Sequence, residues 1–182
     1  TDGKPQGRLG VAVRGLTPDE QKRAGVDAGV LVENAGGAAA KAGVRPSIEN
    51  PLSYQQANVI GLQNMLDFAK LKGIIQFVFA SSSSVYGIND HYPWKEEEKL
   101  MPISPYAMTK LAGECFVRTE APDHLIVRVP LLFGPCRHSD QFVEKMLRLA
   151  RGGQLLRVSH DIYTSPTFSR DAAAAIVGLL SA

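Results

Sequence analysis

The chain has 182 residues, is 45% hydrophobic and 21% charged, and carries a formal net charge of +2. That length can bury a sizeable core, and so balanced a charge argues against nucleic acid or an anionic membrane surface as partner. No apolar stretch approaches a membrane span and no basic-then-apolar leader opens the chain, so a cytoplasmic soluble protein is expected.

Two short apolar runs, Leu9–Val13 and Gly29–Val32, are punctuated by Gly10, Gly15, Gly25 and Gly29 and read as strands. Between them Thr17, Pro18 and Glu20 form a capping-box helix start. Gly36-Gly37 reads as a turn or helix start before it reads as a phosphate cradle. Asn50-Pro51 caps a helix running to about Lys70, with Leu52, Val59, Leu62, Leu66 and Ala69 near helical spacing. Ile74–Ala80 (IIQFVFA), bounded by Gly73 and Ser81–Ser84, has the form of a buried strand. A strand at Gly29–Val32 is expected to pair parallel with it through the Pro51–Lys70 helix.

Asn89–Ile103, with Trp94 and Glu96–Glu98, reads as a surface loop with a solvated acidic turn. Ser104 as N-cap and Pro105 at the first position open the next helix, on which Cys115 is expected to be a small packed side chain. Ser139 or Asp140 opens a helix through Arg151 that ends at Gly152-Gly153. Leu155–Val158 reads as a strand and Arg170–Leu180 as a final helix. Alternating strands and helices predict an α/β fold with a largely parallel sheet flanked by helices. Cys115 and Cys136 lie in no metal-ligand spacing and imply a reduced compartment, and His91, His124, His138 and His160 form no helix-spaced pair.

The chemistry concentrates in residues 80–110. Ligands of open α/β sheets bind at the carboxyl ends of strands, where Ser81–Ser84 fall. Tyr106 and Lys110 are four residues apart and share a helix face. A nearby ammonium favours the phenolate, which would lower the tyrosine pKa and make it an acid/base near neutrality. A serine hydroxyl can hold the substrate oxygen meanwhile.

Residues 47–182 resemble the middle portion of an extended short-chain dehydrogenase/reductase. Ser47–Leu66 (SIENPLSYQQANVIGLQNML), Ala80–Gly87 (ASSSSVYG) and Tyr106–Lys110 (YAMTK) are similar to uronate-type nucleotide-sugar epimerases. The Phe142–Ala150 segment, VSHDIYTSPT and SRDA are closer to deoxysugar-nucleotide reductases of the dehydrorhamnose type. The resemblance implies a partial Rossmann-like fold, a nucleotide-sugar substrate and an NAD or NADP cofactor. It places Ser82, Tyr106 and Lys110 as catalytic residues and Lys110, Asn58 and Pro130 against the cofactor. Leu131 stands where epimerases carry an asparagine for the sugar diphosphate. No glycine-rich Gly-x-x-Gly-x-x-Gly loop precedes these motifs.

Gly7–Pro46 resembles the first half of a PDZ domain from Deg-type proteases. There Arg8, Leu9, Gly10 and Val11 would receive a peptide carboxylate by β-augmentation and Ala38–Ala42 would form a short helix. Val30–Gly36 (VLVENAG) also resembles a strand and turn of classical short-chain dehydrogenases. These resemblances divide the chain into a PDZ-like segment 1–46 and a partial dehydrogenase segment 47–182, within one compact unit, joined at the shared Ala42–Arg45. Missing strands would leave an apolar edge open to self-association. The expectation is a recombined or designed chimera with a vestigial site. The alternatives are an NAD(P)-dependent nucleotide-sugar epimerase or reductase, and a peptide-binding module.

Overall fold

A computed structural model describes residues 11–15, 18–19, 22, 30–35, 44–134, 142–156 and 164–180. The chain divides into two compact units, Thr1–Arg128 and Val129–Ala182.

In the first unit β1 (Val11–Gly15) and β2 (Val30–Ala35) pair antiparallel, from Val11 opposite Ala35 to Gly15 opposite Val30, with a register shift between Ala12 and Val13. The expected parallel pairing of this second strand with Ile74–Ala80 is therefore corrected: its hydrogen-bonded neighbour among the described residues is β1. Consecutive strands usually lie side by side, and an antiparallel pair needs no helical crossover. Three two-stranded sheets are formed by the described residues, where one largely parallel sheet was expected.

Two short helices follow, α1 (Val44–Glu49) and α2 (Pro51–Gln55). Asn50 caps α2 as its sequence predicts, its side chain accepting from the Ser53 N–H at 3.2 Å. The helix then widens into a π segment, Gln56–Ile60, before resuming as α3 (Gly61–Lys72). Gly73 ends α3 in the left-handed region (φ 65°), and the Ile74 N–H closes back on the Ala69 carbonyl at 2.9 Å. Leu62, Leu66 and Ala69 are buried as predicted, whereas Leu52 is 62% exposed and Tyr54 takes the inward position.

Strand β3 (Gln76–Ser82) runs into a 3-10 turn, Ser83–Tyr86; helix α4 (Pro105–Glu120) leads to β4 (Asp123–Val129), the neighbour of β3. Leu62, Leu66, Phe79, Val117 and Ala121 form the core, with Phe77, Phe116 and Ile126 against it. Gly113 lets α4 approach closely, since a Cβ there would stand 2.6 Å from Phe79 and 2.9 Å from Leu62. Cys115 faces outward and is exposed, because its neighbour Glu114 holds the inward position. Between the 3-10 turn and α4 the loop is pinched at its base. Gly87 has φ 58°, a Cβ on it would fall 1.7 Å from the Met101 carbonyl oxygen, and the Met101 N–H donates to Val85 at 3.0 Å.

In the second unit β5 (Leu132–Phe133) and β6 (Thr167–Phe168) pair parallel, flanked by α5 (Phe142–Arg151) and α6 (Ser169–Leu180). These two-residue strands are too short for periodicity to announce. Leu155 and Leu156 lie outside any strand, correcting the expected start of Leu155–Val158; 157–158 lie outside the described residues. Ser139, Asp140 and Ala38–Ala42 also lie outside them. No described helix is long and apolar enough to cross a membrane.

Candidate active site

Helix α4 begins where its sequence says. Ser104 Oγ accepts from the Ala107 N–H at 3.2 Å, and Pro105 occupies the first turn without needing a donor partner. A further free N–H of that turn, on Tyr106, donates to Ser47 Oγ at 3.1 Å, and Ser47 Oγ donates to the Val44 carbonyl at 2.6 Å. Ser47 is fully buried, so α1 is fastened to the N-terminus of the helix that carries Tyr106 and Lys110. The sequence reading assigned Ser47 no such role; a serine ahead of an Asn-Pro helix start gives no sign of a partner 59 residues away.

Ser82, Tyr106 and Lys110 are brought together at the carboxyl end of β3, and Asn58 reaches the same helix at Thr109. The Ser82 hydroxyl lies close enough to the Tyr106 side chain to hold its pKa down. Lys110 Nζ donates to the Ala80 carbonyl at 2.9 Å and lies 5.1 Å from the Phe79 ring centroid and 5.9 Å from that of Tyr106. Asn58, on the π segment, donates to Thr109 Oγ1 at 3.0 Å, joining that widened turn to α4 between Tyr106 and Lys110. Tyr54 meets Tyr106 edge to face, with ring centroids 6.1 Å apart. Pro130 lies in the second unit, just past β4. Arg8, Leu9 and Gly10 lie outside the described residues, and Val11 opens β1.

Burial pushes the Tyr106 phenol above its ordinary pKa; the Ser82 hydroxyl pulls it down by less, and Tyr54 adds to the rise. Burial also lowers the Lys110 pKa. The expectation that the ammonium lowers the tyrosine pKa is thus corrected. Lys110 is turned onto a backbone carbonyl, and removing the phenol from water dominates.

A buried ionic hub beside this site escaped the sequence reading. Glu114 is fully buried on α4 and takes a forked pair from Arg128, Nε to Oε1 at 3.0 Å and Nη2 to Oε2 at 2.8 Å. Ser81 Oγ donates to Oε1 at 2.6 Å, and Arg118 Nη2 reaches Oε2 at 3.1 Å. Arg128 Nη1 donates to Tyr86 Oη at 3.0 Å and to the Glu96 carbonyl at 3.1 Å. Tyr86 stacks on Trp94 at 4.8 Å, and the Trp94 indole N–H donates to the Asn89 carbonyl at 2.9 Å. The 89–103 loop is therefore tied down from beneath rather than being a plain surface loop. The signal was present: an arginine inside the apolar run Leu125–Val129 requires a buried acidic partner.

The donor set suits a nicotinamide nucleotide. Lys110 spends one of its three N–H donors on Ala80, leaving two that could meet a ribose diol.

The fold and this grouping of serine, tyrosine and lysine at a strand end define the class, a Rossmann-like α/β protein with parallel strands flanked by helices. The chain belongs to the family described as RmlD substrate binding domain, which matches residues 37–182. It is similar to a probable UDP-glucuronate 4-epimerase of Rhizobium meliloti, 36% identical over 141 residues that cover 73% of this chain and 39% of that protein. A dTDP-4-dehydrorhamnose reductase of Clostridium acetobutylicum is 31% identical with TM-score 0.69, covering 78% of this chain and 49% of that one. A dTDP-glucose 4,6-dehydratase of Streptomyces venezuelae, solved with NAD bound, is 27% identical with TM-score 0.69, covering 79% and 46%. The chain thus spans less than half the length of these relatives.

Proposed function

We propose that this chain carries the acid/base part of an NAD(P)-dependent nucleotide-sugar epimerase or reductase. The observation that carries the proposal is the meeting of Ser82, Tyr106 and Lys110 at the end of β3, with Lys110 held on the Ala80 carbonyl. Tyr106 moves the proton of the sugar hydroxyl, Ser82 holds the reacting oxygen, and Lys110 binds the nicotinamide ribose beside Asn58. When bound, the nicotinamide supplies the hydride acceptor or donor. The relatives favour this reading over a chimera with a vestigial site. The family match begins at residue 37, upstream of the expected junction at Ala42–Arg45, and continues through it. The exposed Leu71, Ile75 and Val78 support self-association of the first unit.

The test is a titration of the protein with NADH and NADPH, followed by nicotinamide fluorescence. Saturable binding that Lys110→Ala abolishes and Tyr106→Phe retains supports the proposal. Absence of binding at millimolar cofactor, or binding indifferent to Lys110→Ala, sinks it.

A further inference from the structure

We infer that Ser84 is a positioning residue that fixes the direction in which the Ser82 hydroxyl points its proton. The inference deepens the proposed acid/base role of Tyr106 and rests on it. Ser82 Oγ has three polar neighbours: the Ser84 N–H at 3.2 Å, Ser84 Oγ at 2.9 Å, and the Tyr106 side chain. A hydroxyl has one proton and two acceptor sites. The Ser84 amide can only donate, so it always fills one acceptor site of Ser82.

The remaining choice depends on Tyr106. A phenolate only accepts, so Ser82 must donate to it, and Ser84 Oγ then donates into the second acceptor site of Ser82. A neutral phenol can donate to Ser82, whose own proton then turns to Ser84 Oγ. Ser84 is thus the hydroxyl that lets Ser82 serve both protonation states of Tyr106 with every position filled. The ionised arrangement gains more from it, because hydrogen bonds to a charged group are roughly twice as strong and a chain of donors polarises its members. Ser84 is half-exposed at the start of the 3-10 turn, and its backbone N–H cap on Ser82 survives any side-chain change.

The test places 3-fluorotyrosine at position 106 and follows its fluorine resonance against pH in otherwise wild-type protein and in Ser82→Ala, Ser84→Ala and Ser84→Thr. Ser84→Ala is expected to raise the Tyr106 midpoint, by less than Ser82→Ala does. Ser84→Thr, which keeps the hydroxyl, should restore the wild-type midpoint, a rescue that a merely structural role would not predict. Thermal melting of each variant confirms folding. If Ser84→Ala leaves the midpoint unmoved while Ser82→Ala raises it, the inference is overturned and the proposed function stands. If neither variant moves it, the inference falls together with the role of Ser82. Cofactor binding, read separately, decides the proposed function itself.

Discussion

Replacing Glu114 by glutamine keeps the side chain's shape and removes the charge at the centre of the ionic hub. The new amide nitrogen would face N–H donors of Arg128 or Arg118, and Arg128, only 12% exposed in its side chain, would be left as an uncompensated cation. Removing one partner of a buried ion pair costs about 3–5 kcal/mol. The Arg118 side chain is 45% exposed, so water reaches that flank, and we expect the low end, about 3 kcal/mol. For a chain of this size that lowers Tm by roughly 6–12 °C.

The pH dependence has a definite sign. Burial pushes the Glu114 carboxyl up, but the hydrogen bonds from Arg128 and Ser81 and the charges of Arg128 and Arg118 outweigh it, and the net shift is downward. A depressed folded-state pKa gives stability that is fully present above the unfolded carboxylate value of about 4.3 and is lost as pH falls through the folded value. The gap between wild type and Glu114→Gln should therefore be widest near neutrality and close on acidification. Urea denaturation followed by the emission of Trp94, the chain's single tryptophan, reads the first unit specifically. Trp94 stacks on Tyr86, to which Arg128 donates, so the same signal reports the hub. A loss under about 1 kcal/mol, the size of an exposed pair, with a gap constant in pH, would refute the reasoning. The double variant Glu114→Leu/Arg128→Met should recover part of the loss, since no charge is left unpaired.

Other outcomes follow from single contacts. Leu66→Ala empties a fully buried position and should cost about 2–5 kcal/mol by denaturation. Gly113→Ala forces a Cβ against Phe79 and Leu62 and should cost about 1–3 kcal/mol, relieved in part by Leu62→Ala. Asn58→Ala removes the bond to Thr109 and should lose about 1 kcal/mol, with a measurable drop in cofactor affinity if the π segment aligns the site.

The sequence was most legible where the chain signals locally. The Ser104-Pro105 and Asn50-Pro51 starts and the Tyr106–Lys110 face depend on neighbours a few residues apart and appear as read. The strand ending in serines runs Gln76–Ser82 rather than Ile74–Ala80, with Phe79 and Ser81 buried and Val78 and Ala80 exposed. What escaped depends on distant partners. Ser47 on the Tyr106 amide, Arg128 on Glu114 and Asn58 on Thr109 carry no spacing signature. The tyrosine's protonation failed as an expectation for the same reason. Spacing put an ammonium beside the phenol, but only the fold reveals that burial raises the phenol and that a backbone carbonyl has taken the ammonium.

The pinch between Gly87 and Met101 makes the stretch from residue 88 to 100 a detachable module, entering and leaving the fold through one doorway. Its length and composition can change without moving the strand end or the helix beyond it, so Ser82, Tyr106 and Lys110 stay where they are. A transplanted loop must keep three fixtures: a carbonyl at the place of Lys95 for Tyr86, one at the place of Glu96 for Arg128, and a flat ring to lie on Tyr86. Foreign segments grafted under those three conditions should leave the strand end and the helix in place.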